Sequence, residues 1–280
     1  MDIAYFNGEF MPKSEIRISP DDRGFLFADG IYEVMISYNG RFFRRDAHLL
    51  RMANGLKALR IRGADPAAIV SAADELLQRN EVGTETVCSY IEVTRGVAPR
   101  KHSFPAPDTP PTVLVYLMPF TPKLDPAKGT SVITVPDIRW LRCDVKSVAL
   151  LPNCLANQQA QEAGAYEALL VRDGVVLEGT ASSFFAVFDG EARTAPKTNY
   201  ILPSITRDVV IEICMREGIP LSEQPIFAHE LGDADEAFLA GTTTEIAPIV
   251  QIDGRPVGNG TPGPFTSRMV DLFRSETERA

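Results

Sequence analysis

Residues 139–153 read RWLRCDVKSVALLPN, and the fate of one lysine in this stretch decides how the rest of the chain is understood. Asp144 and Lys146 stand two apart, and Val148, Ala149, Leu150 and Leu151 follow as an apolar run that has to enter a core. An ammonium carried there is costly unless it is paired or has chemical work to do. Two plain readings account for it: an ion pair with Asp144, or a lysine at a strand end snorkelling its head to water. The third is chemical. Free lysine has a pKa of about 10.4, so near neutral pH roughly one amine in a thousand is nucleophilic. Partial burial lowers that pKa and turns lysines into nucleophiles toward carbonyl carbon.

The chain around this stretch has 280 residues, 45% of them hydrophobic and 23% charged, enough for two domains with a large core. A net charge of −9 leaves no basic excess to displace counterions from phosphates, so neither a nucleic acid nor an anionic membrane is expected as a partner. Small molecules are. The opening MDIAYFNGEF has no basic segment followed by an apolar one, and no run of about 18 apolar residues occurs, which predicts a cytoplasmic protein. Cys88, Cys143, Cys154 and Cys214 show no CxxC spacing and suit reduced thiols.

Hydrophobic periodicity predicts a mixed α and β chain. Strands are expected at 3–6, 31–38 and 41–43, with Asn39-Gly40 as a hairpin turn. A helix over 46–61 follows, with Asp46 as its cap and Leu49, Met52, Ala53, Leu56 and Leu59 as its apolar stripe. A second helix carries Ile69, Ala72, Ala73, Leu76 and Leu77, and strands are expected near 86–94 and 112–118. Three prolines in MPFTPKLDPAKG deny that segment a helix or a paired central strand. The division expected is therefore an N-terminal domain over 1–118, a linker over 119–127 and a C-terminal domain over 128–280. In the latter, strands near 130–135, 166–171, 175–178 and 184–188 alternate with helices near 153–163 and 206–217, the second capped by Thr206 and ended by Gly218. EAFLAG and EIAPIVQID read as late strands and 264–279 as a closing amphipathic helix. Hairpins are too frequent for a doubly wound sheet, so the class is α+β.

Several familiar signatures fail on context. GNGTPG at 258–263 matches GxGxxG but contains Pro262 and leaves too few residues for a βαβ unit. His48, His102 and His229 lack the spacing of a zinc site, so no metal is expected. There is no GxSxG elbow and no Walker loop. What the second half does offer is PSITRDVV, a turn into a helix N-terminus suited to a phosphate, and AGTTTEI, a hydroxyl-rich turn after a strand. Glu178, in VVLEGTASSFF, stands at a strand end where a carboxylate can hold a pyridinium proton. Each of these has an ordinary structural reading alone. In the order lysine, carboxylate, helix start and threonine turn they match what pyridoxal phosphate requires: a tether, a protonated electron sink and a phosphate cup.

Six blocks then carry a resemblance over nearly the whole chain: DRGFLFADGIYEV, VTRGVAPRKHSFP, DIRWLRCDVKSVALLPN, EAGAYEALLVRDGVVLEGT, ITRDVV and ADEAFLAGTTTEI. Together they resemble the two-domain fold-type IV pyridoxal phosphate enzymes (aminotransferase class IV), most closely the D-amino acid aminotransferases. The resemblance implies a smaller N-terminal α/β domain and a larger C-terminal mixed α/β domain that binds the cofactor. It implies that Lys146 is the Schiff-base lysine and the acid–base catalyst, that Glu178 faces the pyridine nitrogen, and that Arg51, Ile205, Thr206 and Thr242 hold the phosphate. On its own, Arg51 reads as a solvated residue off the apolar stripe of its helix.

The Arg100 and His102 pair in TRGVAPRKH suits a carboxylate, because a guanidinium forks onto two oxygens and an imidazole adds a donor. By the same resemblance, Tyr32, Arg100 and His102 bind the substrate α-carboxylate. The pair is generally lacking in the branched-chain L-amino acid aminotransferases and aminodeoxychorismate lyases of this fold, which stand as the alternatives. A non-catalytic cofactor-binding protein is disfavoured because lysine and glutamate are both present. Lys101 and Ser183 depart from residues common in some relatives. The expected reaction exchanges D-alanine and 2-oxoglutarate for pyruvate and D-glutamate by a ping-pong route. The resemblance further implies a homodimer, with the Arg100 and His102 loop reaching the neighbouring subunit's site.

Overall fold

The computed structural model describes residues 1–122 and 124–279. Lys123, within the expected linker, and Ala280, the last residue of the expected C-terminal domain, lie outside the described residues. The chain divides into two units. Met1–Thr121 with Val145–Ala149 form the first, and Pro122–Asp144 with Leu150–Arg279 the second. Val145–Ala149, expected within the second domain, are thus grouped with the first.

In the first unit the order is β1 (Ile3–Phe6), β2 (Glu9–Pro12), α1 (Arg23–Phe27), β3 (Gly30–Tyr38), β4 (Arg41–Phe42), α2 (Arg45–Leu59), α3 (Pro66–Arg79), β5 (Val87–Thr94) and β6 (Thr112–Pro119). The strands make one antiparallel sheet in the order β2-β1-β6-β5-β3-β4. Strand periodicity sorts its faces. Ile31, Met35, Val87, Ile91, Val93, Val113, Val115 and Leu117 join Met52, Leu56, Ile69, Val70, Ala73, Leu76 and Leu77 of α2 and α3 in one apolar core. Each fully buried Val, Leu, Ile or Met side chain of this core contributes about 1.5–3 kcal/mol. Tyr32, Tyr90 and Tyr116, of opposite parity, make a separate run of ring contacts. The β3–β4 hairpin turns through Asn39 and Gly40 with φ 52° and 78°, the left-handed pair that a two-residue type I′ turn demands.

Two helix starts differ from the sequence expectation. Asp46 does not cap α2. The helix begins one residue earlier, behind Arg44 in a left-handed conformation with no side-chain capping bond, and Asp46 is an exposed residue of the first turn. The buried face of α2 also turns further round than an apolar stripe implies, through His48, Met52, Gly55 and Leu56. The buried Glu33 carboxylate draws His48 and Arg51 inward.

The second unit runs β7 (Thr130–Pro136), α4 (Leu151–Glu162), β8 (Glu167–Arg172), β9 (Val175–Gly179), β10 (Ser183–Phe188), β11 (Glu191–Thr194), α5 (Ile205–Glu217), β12 (Leu221–Glu223), β13 (Ile226–Phe227), β14 (Glu236–Gly241), β15 (Glu245–Ile252), β16 (Arg255–Pro256) and α6 (Pro264–Glu278). Its strands form one mixed sheet, β12-β11-β10-β14-β15-β7-β8-β9-β13, with β16 paired to β15. The pairs β15/β7, β7/β8 and β11/β12 are parallel. β10 is buried along its whole length, which explains its unbroken SFFAVF, and Phe185 stacks on Phe238 of β14 with centroids 4.7 Å apart. α5 packs on β14 and β12, and α6 on β15 and β14. The cap of α5 is Ser204 rather than Thr206: the Ser204 hydroxyl accepts from the Arg207 N–H at 3.2 Å, so the helix starts at Ile205. Its buried face carries Val209, Val210, Ile213 and Cys214, at the spacing of an amphipathic helix.

Candidate active site

The lysine of the opening stretch is not the partner of Asp144. That carboxylate accepts two bonds from Arg142, both at 2.9 Å, and no ion pair of Lys146 occurs among the described residues. Instead, Val145–Ala149 lies against the start of β3. The Tyr32 N–H donates to the Lys146 carbonyl at 2.9 Å, the Val148 N–H to the Gly30 carbonyl at 3.2 Å, and Ser147 bridges Ile31 antiparallel. The half-buried Lys146 side chain places Nζ 4.1 Å from the centre of the Tyr32 ring. Tyr32 stacks on Tyr90 at 6.0 Å and Tyr90 on Tyr116 at 5.2 Å. An ammonium held over an aromatic face is oriented without committing its N–H donors, whereas an ion pair would occupy them.

On the other face of β3, Glu33 is fully buried and gathers two residues of α2. Arg51 Nε and Nη2 donate to its two oxygens at 2.9 and 2.6 Å, and His48 Nδ1 lies 3.0 Å from Oε1. Burial acts to raise the Glu33 carboxyl, but Arg51 and His48 outweigh it and hold it well below the ordinary carboxylate range. Burial lowers the pKa of His48, with Glu33 opposing and the charges of Arg51 and Lys146 assisting. Arg51 is therefore an inward-facing residue, contrary to its reading from the stripe alone. Sequence reasoning misses Glu33 and His48 as site residues. The signal that could have found them is a lone glutamate at a core-facing position of an otherwise apolar strand, where a charge needs a partner.

In the second unit, Glu178 sits at the end of β9, buried. Arg139 Nη1 donates to Oε1 at 2.5 Å, and the Leu202 N–H lies 3.2 and 3.1 Å from Oε1 and Oε2. Arg139 is shared with Asp137, which also binds Arg172 at 2.9 Å. Burial pushes the Glu178 carboxyl up to about 7, against Arg139 and the Leu202 N–H; Asp137 adds to the rise. The following turn is pinned by Glu167. Its carboxylate accepts from the Ala181 N–H at 2.7 Å, the Ser182 hydroxyl at 3.0 Å and the Thr180 hydroxyl at 3.3 Å, while Asn153 Nδ2 donates to the Thr180 carbonyl at 2.7 Å. Arg139, Glu167 and Asn153 escape a reading of the sequence, because their partners lie far away along the chain.

The donor set fits the cofactor that the sequence resemblance implies. Among the described residues, Glu178 Oε2 accepts one bond, from the Leu202 N–H at 3.1 Å, and retains a lone pair that a protonated ring nitrogen could use. At the start of α5, the N–H groups of Ile205 and Thr206 have no acceptor within the helix, and Ser204 is spent on Arg207. That arrangement suits a phosphate. Thr242 is half-buried in the turn that joins β14 to β15.

Arg100 and His102, exposed in the loop after β5, converge on one ring. Arg100 Cζ is 5.3 Å from the centre of Phe27, and the His102 ring meets Phe27 edge-on at 5.7 Å. Neither makes a hydrogen bond or ion pair among the described residues. The ring of Tyr32, expected beside them, has its contacts with Lys146 and Tyr90.

A family model described as amino-transferase class IV matches residues 30–252. Among similar proteins, the D-alanine aminotransferase of Bacillus licheniformis is 41% identical over 275 residues, covering 96% of this chain and 95% of that protein. The D-alanine aminotransferase of Staphylococcus haemolyticus is 38% identical over 277 residues, covering 98% of each. Among solved structures, a T.th. branched-chain amino acid aminotransferase complexed with N-(5'-phosphopyridoxyl)-L-glutamate superposes with a TM-score of 0.90 at 28% identity, over 99% of this chain and 95% of that one. The branched-chain aminotransferase of Thermoproteus uzoniensis with norvaline gives 0.90 at 25% identity over the same shares.

Proposed function

The chain belongs to the class IV aminotransferases, and we propose that it is the D-amino acid transaminase of that family, moving the amino group of D-alanine and other D-amino acids to 2-oxoglutarate with pyridoxal phosphate as cofactor. The observation that carries the reading is the convergence of Arg100 and His102 on Phe27 with their donors uncommitted. A guanidinium and an imidazole so placed take a carboxylate by charge-assisted hydrogen bonds. The close identity to D-alanine aminotransferases over the full chain points the same way, and the branched-chain structures share the fold at lower identity.

The cofactor would supply an electron-accepting ring that stabilises negative charge developing on the substrate α-carbon. Lys146 would tether it through Nζ, and the same nitrogen, once free, would be the base that takes the substrate α-proton and the acid that gives a proton back. Glu178 keeps the ring nitrogen protonated. Its carboxyl, raised to about 7 by burial, would be ionised beside a protonated ring nitrogen, whose positive charge would add to that of Arg139. Arg51, Ile205, Thr206 and Thr242 hold the phosphate, and Glu33 keeps Arg51 in place. Tyr32, Arg100 and His102 receive the α-carboxylate and so fix which face of the α-carbon meets Lys146. Release of one keto acid before entry of the next gives ping-pong kinetics.

The protein acts in the cytoplasm as a homodimer in this reading. Mixing the cofactor-loaded protein with single amino acids tests it: D-alanine should bleach the absorbance of the bound cofactor far faster than L-leucine or L-alanine. Faster bleaching by L-leucine would transfer the chain to the branched-chain enzymes. Pyruvate release from aminodeoxychorismate without an amino acceptor would transfer it to the lyases.

A further inference from the structure

Most of the arginines that shape the first unit's interior are tied to carboxylates: Arg51 to Glu33, and both Arg23 and Arg95 to Asp29. Arg100 is not. The group beside it is the ring of Phe27, the last residue of α1, and the same ring receives the edge of His102 at an interplanar angle of 68°. Arg23 Cζ lies 4.8 Å from the centre of Phe27 as a third neighbour.

The loop beneath is fixed separately. Arg23, only 3% exposed, donates through Nη1 to the Lys101 carbonyl at 2.7 Å and the Ser103 carbonyl at 3.4 Å, and through Nε to Asp29 at 2.7 Å. Asp29 also takes a forked pair of bonds from Arg95, both at 2.8 Å, and Arg95 lies under the Phe104 ring at 3.6 Å. The backbone on either side of His102 is therefore held from below, while the side chains of Arg100 and His102 take their orientation from Phe27.

An aromatic face orients a cation differently from a carboxylate. It attracts the guanidinium through the ring quadrupole, leaves its charge intact and consumes none of its five N–H donors. A carboxylate in that place would neutralise the group and occupy the fork that the ligand needs. We propose that Phe27 is the positioning residue of the Arg100 and His102 pair, holding both in a carboxylate-ready geometry without spending their donors. The inference rests on the reading of that pair as the binding site for the substrate α-carboxylate. Since donor and acceptor both carry this group, the effect falls on amino acid and keto acid alike.

The test compares Phe27→Leu, which keeps apolar bulk but removes the π face, with Phe27→Tyr, which keeps the face, and with Arg100→Ala. Phe27→Leu should raise KM for both D-alanine and 2-oxoglutarate by roughly two- to tenfold with kcat little changed, as expected for loss of uniform binding. Phe27→Tyr should stay near the parent. In the cofactor-free protein, Phe27→Leu should move the His102 ring resonances while those of His48 and His229 stay. If Arg100→Ala leaves KM unchanged, the carboxylate reading of the pair is wrong. If Arg100→Ala raises KM but Phe27→Leu does not, or if Phe27→Leu lowers kcat at constant KM or shifts all three histidines, Phe27 is not the positioning residue.

Discussion

The Tyr32 backbone N–H donates to the carbonyl of Lys146 at 2.9 Å, and the Lys146 ammonium nitrogen stands 4.1 Å from the centre of the Tyr32 ring. One strand residue thus fixes both ends of the lysine, main chain and side chain. The backbone bridge between Ile31 and Ser147 sets the segment, and the ring then limits where the flexible side chain goes. A lysine so held, with Asp144 committed to Arg142, is suited to take a carbonyl group.

Borohydride reduction of the cofactor-loaded protein should therefore fix the cofactor on the peptide containing Lys146. Mass spectrometry of the digest checks this, and a label on Lys57 or Lys197 would overturn the assignment.

Two buried carboxylates should show opposite pH signatures. The Glu33 carboxyl is depressed in the folded state, so its contribution to stability is present above the ordinary carboxylate range and is lost as pH falls through and below it. Denaturant titrations of the parent and Glu33→Gln should differ by about 3–5 kcal/mol at neutral pH, because the substitution takes from the buried Arg51 the carboxylate that accepts its Nε and Nη2 bonds. The gap should narrow on acidification. A gap independent of pH would contradict the ion-pair account.

Glu178 runs the other way. Its folded-state carboxyl, raised from 4.5 to about 7, holds a proton that the unfolded chain has already released between those values. The contribution is fully present below about 4.5 and is lost as pH rises through about 7, at no more than roughly 1.4 kcal/mol per pH unit. In the cofactor-free protein, the stability of the parent relative to Glu178→Gln should fall across that window. A relative stability that climbs with pH would mean that Arg139 overcomes burial.

What is legible in the sequence follows from what is local. The 3.6-residue stripes of α3 and α5 place their cores because each pattern is repeated within one element. Lys146 stands out because a charge beside an apolar run is a local anomaly. Its expected partner Asp144 is a matter of adjacency, and adjacency fails: Arg142 and Asp144 lie together at the surface while the residues from Val145 onward pair with β3. Glu33, His48 and Arg51 come from two elements, so the contact that turns α2 inward has no signature in either. The Ser204 cap is obscured because two hydroxyl residues flank the true helix start.

A shared-site homodimer should show complementation. Lys146→Ala protein mixed with Arg100→Ala, His102→Ala protein under conditions of subunit exchange gives mixed dimers in which one site carries both lesions and the other neither. Random exchange makes about half the dimers mixed, so roughly a quarter of all sites should be intact. Activity should rise well above that of either parent; no recovery after verified exchange would assign the loop to its own subunit's site.

The most direct measurement is of product identity and chirality. The cofactor-loaded protein is supplied with D-alanine and 2-oxoglutarate, and its products are resolved by chiral chromatography, beside Lys146→Ala as the control. Equal amounts of pyruvate and D-glutamate from the parent, and neither above background from Lys146→Ala, are predicted. Formation of L-glutamate, or undiminished turnover by Lys146→Ala, would contradict the account.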